Sequence, residues 1–380
     1  DQEFAIVRSF MAHHQGMTVV AIDNVLRDGV MRERFHAEPI VRATELLLQE
    51  RAPRDVPITH ARTEERRPAP SARPVAPPAE RTLTGASATS LGLHLMSNGR
   101  LSLSLTPTGG GQLTWKGIAI TRWHPDLTTA STGDYIYLRE DHTSHVWSAS
   151  AEPVRQTPDS YEVRFAEDRA RYSRLDGTLE TVVEHHLSPE SDAVVRKLSL
   201  RNTSRSHRRI TVTTYAELVL ARVRDDDAHP AFSKLFVHTE YLPGSAAILA
   251  TRRRRSAGDP EVWAAHFVVA ETVRSEGGPV RDPVPETDRL AFLGRNRTTR
   301  SPRRLDAGAH EPGTTGYVLD PIFSLSQEID VPPEDEATLY FWTVVAPTRE
   351  GALRLVSAHR AGGAYERVTR LAWTQSQVQL

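Results

Sequence analysis

Alternation of hydrophobic and polar residues is the main pattern along this chain, and it predicts β-strands over most of its length. In one clear example Leu101, Leu103 and Leu105 alternate with serines, and a run of three glycines follows as a turn. Asp176 and Gly177 separate two other apolar segments and predict a hairpin turn. Further strand candidates are 134–139, 145–149, 160–166, 178–187, 193–201, 208–220, 232–239, 246–250, 261–269, 317–327 and 336–345.

The order of these elements predicts the fold class. Many strands follow one another without intervening helices, which favours antiparallel sheets that pack face to face. We therefore expect a mainly β fold, a large antiparallel β-sandwich over residues 91–346.

Helical periodicity is found on both sides of the predicted sandwich. In residues 1–27 apolar side chains recur near helical spacing, and this predicts a first helix. Gly29 predicts that this helix ends in the left-handed backbone conformation. A second helix is predicted over 38–51. The period becomes helical again over residues 347–380. Because the chain lacks an initial Met and ends in a helix-like run, we expect it to be a piece of a longer protein.

A proline-rich segment separates the first helices from the strands. Residues 52–90 contain seven prolines among Ala, Arg, Glu and Ser, with few large apolar side chains. Such a segment buries too little apolar surface to offset the entropy of ordering it. The predicted domains are therefore helices in 1–51, a linker in 52–90, the sandwich in 91–346 and helices in 347–380.

Composition excludes several classes of protein and of site. The formal net charge of −1 argues against a nucleic-acid partner, which requires a concentrated positive surface. With no cysteine, the chain has no disulfide, thiolate metal site or cysteine nucleophile. No apolar stretch approaches the roughly 18 residues of a membrane-spanning helix. Phosphate-binding glycine loops and serine-nucleophile motifs are also missing, and we assign no catalytic residue and no metal ligand.

Arg122, Trp123 and Tyr135 form the first candidate site, in the strings TRWHPD and GDYIYLR. In carbohydrate sites aromatic rings contact the apolar face of a sugar, and Arg and Asp side chains hydrogen-bond its hydroxyl groups. The alternative is ordinary packing of these aromatic side chains within the sandwich, which is the commoner role of aromatic residues in strands.

Lys234, Asp288 and Arg289 are further candidates for substrate binding. Lys234 lies in a predicted strand between apolar residues, so its ammonium group either reaches water or serves a pocket. Asp288 and Arg289 are adjacent, and a surface ion pair is the default prediction for them. The acidic run at 225–227 lacks the alternating ligands and the turn glycine of a cation site, and it predicts a solvated loop.

His13, His14 and Gln15 place polar side chains in the first predicted helix. Adjacent residues point about 100° apart on a helix, so the two histidines do not form the i, i+4 pair of a zinc helix. A His and Gln pair that faces a pocket would hydrogen-bond sugar hydroxyls, and Gly16 would allow close approach. The alternative places one histidine in the core and exposes the other.

Several long strings, in this order, resemble the C-terminal part of cyclic β-1,2-glucan synthases. They are FMAHHQGM, FHAEPIVRATELLLQER, SNGRLSLSLTPTGGG, AITRWHPD, YIYLR, VWS, DSYEVRFAEDRA, HPAFSKLFVHTEYLP, ETDRLAFLGR, GTTGYVLDPIFSL and LAWTQSQVQL. The resemblance covers nearly the whole chain except the linker.

The resemblance implies a very large parent protein at the cytoplasmic side of the bacterial inner membrane, with a glycosyltransferase region that uses UDP-glucose. Residues 1–51 would be the last helices of a glucoamylase-like (α/α) domain, with the HHQG string lining its pocket. Residues 91–346 would be a supersandwich similar to that of inverting glycoside phosphorylases, and 347–380 would enter an (α/α)6 barrel. The phosphorylase acid and the phosphate site would lie in that barrel, so this chain alone would be inactive and hold no cofactor.

These patterns leave three functions open. In the first, the chain is part of an enzyme that makes cyclic β-1,2-glucan, and the sandwich supports or binds β-1,2-linked glucan beside the barrel domains. The second is a non-catalytic carbohydrate-binding or dimerising sandwich, which would allow a homodimer. The third is part of a disaccharide phosphorylase. The helical segment before the sandwich disfavours the third, because simple phosphorylases would begin near the sandwich.

Overall fold

The structure of the chain is a computed structural model, and it describes residues 12–39, 41, 80–85, 88, 92–124, 133–254, 259–271, 282–308 and 313–378. The chain divides into two compact units, residues 1–72 and residues 73–380. Within the described residues no helix is both long enough and apolar enough to cross a membrane.

The described part of the first unit contains two helices. Helix α1 (Ala12–Leu26) and helix α2 (Val30–Ala37) are separated by a short turn. Gly29 in this turn has a φ of +87°, in the left-handed region, which confirms the helix stop predicted at this residue. Helix α2 was not among the predicted elements, and the helix predicted over 38–51 falls largely outside the described residues.

Eighteen strands form two sheets in the described part of the second unit. They are β1 (Arg81–Thr84), β2 (His94–Ser97), β3 (Leu101–Leu105), β4 (Gly111–Trp115), β5 (Ile118–Thr121), β6 (Asp134–Glu140), β7 (Val146–Ser148), β8 (Ser160–Phe165), β9 (Ala170–Asp176), β10 (Leu179–Leu187), β11 (Ala193–Asn202), β12 (Arg208–Arg222), β13 (Val237–Leu242), β14 (Ala247–Arg252), β15 (Trp263–Ala270), β16 (Val284–Asp288), β17 (Pro321–Val331) and β18 (Glu336–Ala346). The α-helices among the described residues of this unit are α3 (Val223–Ala228), α4 (Pro230–Lys234), α5 (Arg289–Leu293), α6 (Arg349–Arg360) and α7 (Ala364–Val378).

Both sheets are antiparallel. The first has the strand order β1-β8-β9-β10-β11-β18-β15-β14-β13, and the second has the order β16-β17-β12-β5-β4-β3-β2. Strand β6 also pairs with β12, and β7 pairs with β6. Asp176 lies opposite Leu179 in the β9–β10 pair, which confirms the predicted hairpin. The predicted mainly β sandwich is therefore confirmed.

The main core lies between the two sheets and accounts for the alternation seen in the sequence. In β3 the three leucines are buried and the two serines between them are only partly exposed. Strand β18 is central in its sheet and covered on both faces, and every residue after Glu336 in its sequence EATLYFWTVVA is buried. Burial on both faces favours such a nearly continuous apolar run, which only Thr338 and Thr343 interrupt.

Two helices cover the outer face of the first sheet. Val356 of α6 and Val368 of α7 pack in one cluster with Trp342 of β18 and Phe267 of β15. These two helices confirm the helical period predicted after the sandwich.

A short helix covers part of the outer face of the second sheet. Helix α5 places Phe292 in a cluster with Tyr135 and Tyr137 of β6 and Tyr215 of β12. The ring centroids of Phe292 and Tyr215 are 4.9 Å apart. This aromatic layer lies directly beside the candidate site residues.

The strand predicted over 232–239 is wrong in its first half. Residues 230–234 form helix α4, and β13 begins only at Val237. Pro230 occupies the first turn of α4, where the missing N–H group has no helical partner to lose. Lys234 therefore ends a short helix rather than lying in a strand.

The acidic run at 225–227 is also different from its prediction. It lies in helix α3 rather than in a solvated loop, and Asp226 is 3% exposed.

The start of the sandwich also differs from the prediction. Strand β1 lies within the predicted linker and pairs with β8, with Arg81 opposite Phe165. Residues 52–79 lie outside the described residues.

Candidate functional site

A cavity of about 1240 Å³ lies beside the turn between β3 and β4. The loop between β7 and β8 and the strands β8 and β9 form much of its walls, and single residues of β1, β6 and β10 also line it. The Tyr161 hydroxyl donates a hydrogen bond to the carbonyl of Pro107 at 2.7 Å, and the N–H of Glu152 donates to the carbonyl of Thr108 at 2.9 Å. These bonds tie β8 and the β7–β8 loop to the β3–β4 turn.

Arg174 of β9 fixes the loop between β7 and β8. Its buried guanidinium donates to both carboxylate oxygens of Asp176, at 2.6 and 2.9 Å, and to the carbonyls of Ser150 and Gln156, each at 3.0 Å. Gly109 in the facing turn has a φ of +96°, and a Cβ there would lie 2.0 Å from Ser150 Oγ. The turn therefore requires glycine where it meets the loop.

Trp123 and Tyr135, two of the predicted site residues, both line this cavity. Trp123 is half-buried, and a Cβ on Gly110 would lie 3.4 Å from its indole Nε1. Tyr135 is 2% exposed and stacks on Tyr215, and burial raises the pKa of its hydroxyl, which stays protonated. Trp123 thus offers an aromatic surface to the cavity, whereas the Tyr135 ring is mainly part of the aromatic layer.

Charged side chains complete the cavity lining. They are the carboxylates of Glu152, Asp159, Glu162 and Glu180 and the guanidiniums of Arg155 and Arg174. Glu152 and Arg155 form an ion pair at 2.9 Å, and burial raises the pKa of the Glu152 carboxyl despite this neighbour. Glu162 pairs with Arg164 at 2.6 Å. The cavity thus combines an aromatic face with hydrogen-bonding groups in one lining.

Arg122, next to Trp123, lies in a buried ionic network. Its guanidinium donates to both oxygens of Asp226, at 2.8 and 2.7 Å, and to Glu217 Oε2 at 2.8 Å. Burial opposes charge on Arg122 and Glu217, but the ion pairs outweigh burial, raising the pKa of Arg122 and lowering that of Glu217. Both groups are therefore ionised, and all three guanidinium nitrogens of Arg122 already bind carboxylates. Arg122 supports the position of Trp123.

Arg289 and Lys234 extend the same network. Arg289 Nε donates to Glu217 Oε1 at 2.8 Å, and Arg289 Nη1 lies 3.4 Å from Asp320 Oδ2. Lys234 Nζ lies 2.8 Å from the Asp320 carboxylate. Three residues predicted separately, Arg122, Lys234 and Arg289, are thus joined through two carboxylates.

Asp288 does not pair with Arg289. Its carboxylate accepts a hydrogen bond from the N–H of Leu290 at 2.8 Å and caps helix α5. The predicted surface ion pair between these neighbours is therefore wrong, because Arg289 binds Glu217 and Asp320 instead.

His13, His14 and Gln15 lie at exposed positions of α1 in the first unit. The ring centroids of the two histidines are 4.1 Å apart, and neither ring is buried among the described residues. Their role in a saccharide pocket stays a prediction. Across the part of the chain that the structure describes, no group of three or more His, Asp or Glu side chains is placed to hold a metal ion.

Sequence reasoning missed the acidic partners of the candidate residues. Glu217 stands alone among apolar residues in the strand sequence TYAELVL, and this isolation was the available signal for a buried, paired charge. Glu152 and Glu180 carry no such signal, because they belong to separate elements that meet only in the folded sandwich.

Comparison with known proteins matches most of the chain to one protein family. A family model described as glycosyl hydrolase 94, supersandwich domain, matches residues 79–361, from just before β1 to the end of α6. The cyclic beta-(1,2)-glucan synthase NdvB of Rhizobium meliloti (strain 1021) is 40% identical over 379 residues, which is 100% of this chain and 13% of the synthase.

Two further similarities are partial. The N,N'-diacetylchitobiose phosphorylase of Vibrio furnissii is 31% identical over 131 residues, 33% of this chain and 16% of that protein. A bacterial glucoamylase solved in complex with acarbose has a TM-score of 0.48 and 10% identity, over 79% of this chain and 38% of that chain. The chain therefore spans a small part of the length of the curated relatives it matches.

Proposed function

The chain belongs to the glycosyl hydrolase 94 supersandwich family, and on this basis we propose that it is the carbohydrate-binding sandwich of a glucan-processing enzyme. In this proposal the cavity beside Trp123 holds β-1,2-linked glucan, and catalysis takes place in a domain outside this chain. The observation that carries the proposal is the cavity, with an indole and several carboxylates in one lining.

The size and chemistry of the cavity support an oligosaccharide as its ligand. Its volume of about 1240 Å³ exceeds the roughly 300–1,000 Å³ of typical small-molecule pockets, so it has room for several sugar units. The Trp123 indole offers a flat apolar surface to one face of a sugar ring. The carboxylates of Glu152 and Glu180 are acceptors for sugar hydroxyl groups.

For the longer protein we propose the parts that the resemblance implies. These are a glycosyltransferase region that uses UDP-glucose, (α/α) barrel domains beside the sandwich, and attachment at the cytoplasmic side of the inner membrane. The 40% identity over the whole chain to a protein named as a cyclic β-(1,2)-glucan synthase supports this assignment. A homodimer stays a prediction.

We expect Trp123→Ala to weaken binding of linear β-1,2-linked gluco-oligosaccharides by about tenfold or more. Loss of an aromatic contact of about 1.5 kcal/mol corresponds to roughly this factor. Isothermal titration calorimetry of the 380-residue chain measures the affinity, and a thermal melt of the same sample measures its stability.

Trp373→Ala is the matched control for this substitution. Trp373 is 56% exposed on α7 and is not part of the cavity lining, so its loss should leave the affinity unchanged. Unchanged affinity of the Trp123 variant, together with a lower melting temperature, would show that the Trp123 indole serves only packing.

We also expect the 380-residue chain to release no glucose 1-phosphate from linear β-1,2-glucan and inorganic phosphate. The reason is that the resemblance places the catalytic acid in a barrel that this chain does not include. A coupled assay for glucose 1-phosphate checks the expectation. Release that Glu152→Gln abolishes would contradict it, because the chain would then hold a catalytic carboxylate of its own.

A further inference from the structure

The cavity beside Trp123 has an excess of negative charge in its lining. Four carboxylates line it against two guanidinium groups, which leaves a formal balance of −2 among the described lining residues. The carboxylates come from three places, the loop between β7 and β8, strand β8 and strand β10. The negative charge therefore lies along the sheet β8-β9-β10 and the loop that precedes β8.

Arg174 is not free to bind an anion, and the charge of Arg155 is balanced by Glu152, although the two terminal amino groups of Arg155 bind no carboxylate among the described residues. Arg174 has a fully buried side chain, and its guanidinium is engaged by Asp176 and by two carbonyl groups. Arg155 Nε donates to both carboxylate oxygens of Glu152, at 2.9 and 3.1 Å. Phosphate and carboxylate groups are usually bound by free Arg or Lys side chains or at helix N-termini, and no α-helix contributes to the described lining.

Glu180 supplies a carboxylate that has no ionic partner among the residues that the structure describes. Its side chain makes no hydrogen bond and no ion pair within the described residues. Arg201 is its cross-strand neighbour on β11, but no ion pair joins the two residues. An ionised carboxylate in this position accepts hydrogen bonds from sugar hydroxyls and repels an anionic substituent.

We infer that this cavity selects saccharides by charge. It binds uncharged gluco-oligosaccharides and excludes sugars that carry phosphate or carboxylate groups. The inference rests on the proposed function, because it concerns the same cavity and narrows the class of its ligand. One consequence is that neutral glucan chains are retained at the sandwich, whereas a sugar phosphate is not.

The test compares one oligosaccharide in two charge states. Isothermal titration calorimetry of the 380-residue chain measures the affinity for linear β-1,2-linked gluco-oligosaccharides and for the same oligosaccharides oxidised at C6 to uronates. At low ionic strength we expect the uronates to bind about tenfold more weakly or worse. The difference should shrink as salt approaches about 1 M, where charges more than about 3 Å apart are screened.

Charge-removing variants locate the effect in the cavity. Glu180→Gln and Glu162→Gln should each narrow the ratio between neutral and uronate affinity, because each removes one repelling charge from the lining. Glu350→Gln is the control, since Glu350 is exposed on α6 and is not part of the lining, and it should leave the ratio unchanged. Circular dichroism of each variant checks that the sandwich is folded.

The outcomes separate this inference from the proposed function. Uronates that bind as tightly as the neutral chains would overturn selection by charge and leave glucan binding in place. Selection by charge would also be overturned if the ratio of neutral to uronate affinity stayed the same in both folded cavity variants, because the selection would then arise outside the cavity. Absence of neutral binding would overturn the proposed function, and charge selection with it.

Discussion

Glu217→Ala is expected to lower the free energy of unfolding of the chain by about 3–5 kcal/mol. The Glu217 carboxylate is 2% exposed and lies 2.8 Å from nitrogens of both Arg122 and Arg289. Arg122 is itself 5% exposed, so loss of the carboxylate leaves a buried positive charge with Asp226 as its remaining partner. Urea denaturation at neutral pH measures the change.

Asp330→Ala is the matched control, because it removes the carboxylate of an exposed ion pair instead of a buried one. Asp330 pairs with Arg209 at 2.9 Å, but the two side chains are 45% and 52% exposed. Such a surface pair contributes about 0–1 kcal/mol. Equal loss of stability in the two variants would contradict the view that Glu217 holds the network together.

Mild acid is expected to unfold the chain through its buried histidines. The pKa values of five histidines are lowered, chiefly by burial; they are His94, His185, His186, His266 and His359. For His266 the pKa falls to about 3, and for His94 and His359 it falls to about 4, from an ordinary value of 6.5. These rings are neutral in the folded chain at pH values where the unfolded chain protonates them.

The direction of the effect follows from proton binding. Between each folded-state pKa and 6.5 the unfolded chain binds more protons, so stability is complete above about pH 6.5 and falls as the pH is lowered. Each such histidine removes about 1.4 kcal/mol per pH unit, and the three with stated values together remove about 4 kcal/mol per pH unit between pH 6.5 and about 4. A typical domain stability of about 5–15 kcal/mol is therefore lost within a few pH units, and we expect acid unfolding above about pH 4.

Circular dichroism as a function of pH measures this transition. Substitution of one buried histidine, His266, tests its cause. His266 is 1% exposed, and its ring nitrogens lie 3.0 and 3.1 Å from the hydroxyls of Thr214 and Thr343. His266→Gln should reduce the pH dependence of stability by about one proton. The same substitution at the exposed His142 should leave the pH dependence unchanged. A chain that stays equally stable from pH 7 to pH 4 would contradict the prediction.

The sandwich could be predicted from the sequence because its strands carry strong local signals. The alternating leucines of β3 and the apolar run of β18 report directly which faces are buried. The strand prediction around Lys234 was wrong. Phe232 and Phe236 suggested a strand, but the proline at position 230 begins a helix. It also failed at Asp226, because three successive carboxylates give no local hint that one of them pairs with a buried arginine.

The candidate site was only partly predictable, because its residues are distant in the sequence. Arg122 and Glu217 are 95 residues apart, and Arg122 and Asp226 are 104 apart, so no motif spacing connects them. Trp123 and Tyr135 were proposed because aromatic side chains next to Arg and Asp are typical of sugar sites, and their sugar-binding role stays a prediction. The acidic lining depends on strand order, which places β9 between β8 and β10, and this order is a property of the fold.

Glucan binding in the cavity beside Trp123 is tested directly by hydrogen–deuterium exchange of the 380-residue chain with and without linear β-1,2-linked gluco-oligosaccharides. We expect slower exchange in the β3–β4 turn at 106–110 and in the loop at 151–159, because these segments line the cavity beside Trp123. Protection confined to the surface of α3 and α4, or no protection at saturating oligosaccharide, would contradict the claim that this cavity binds glucan.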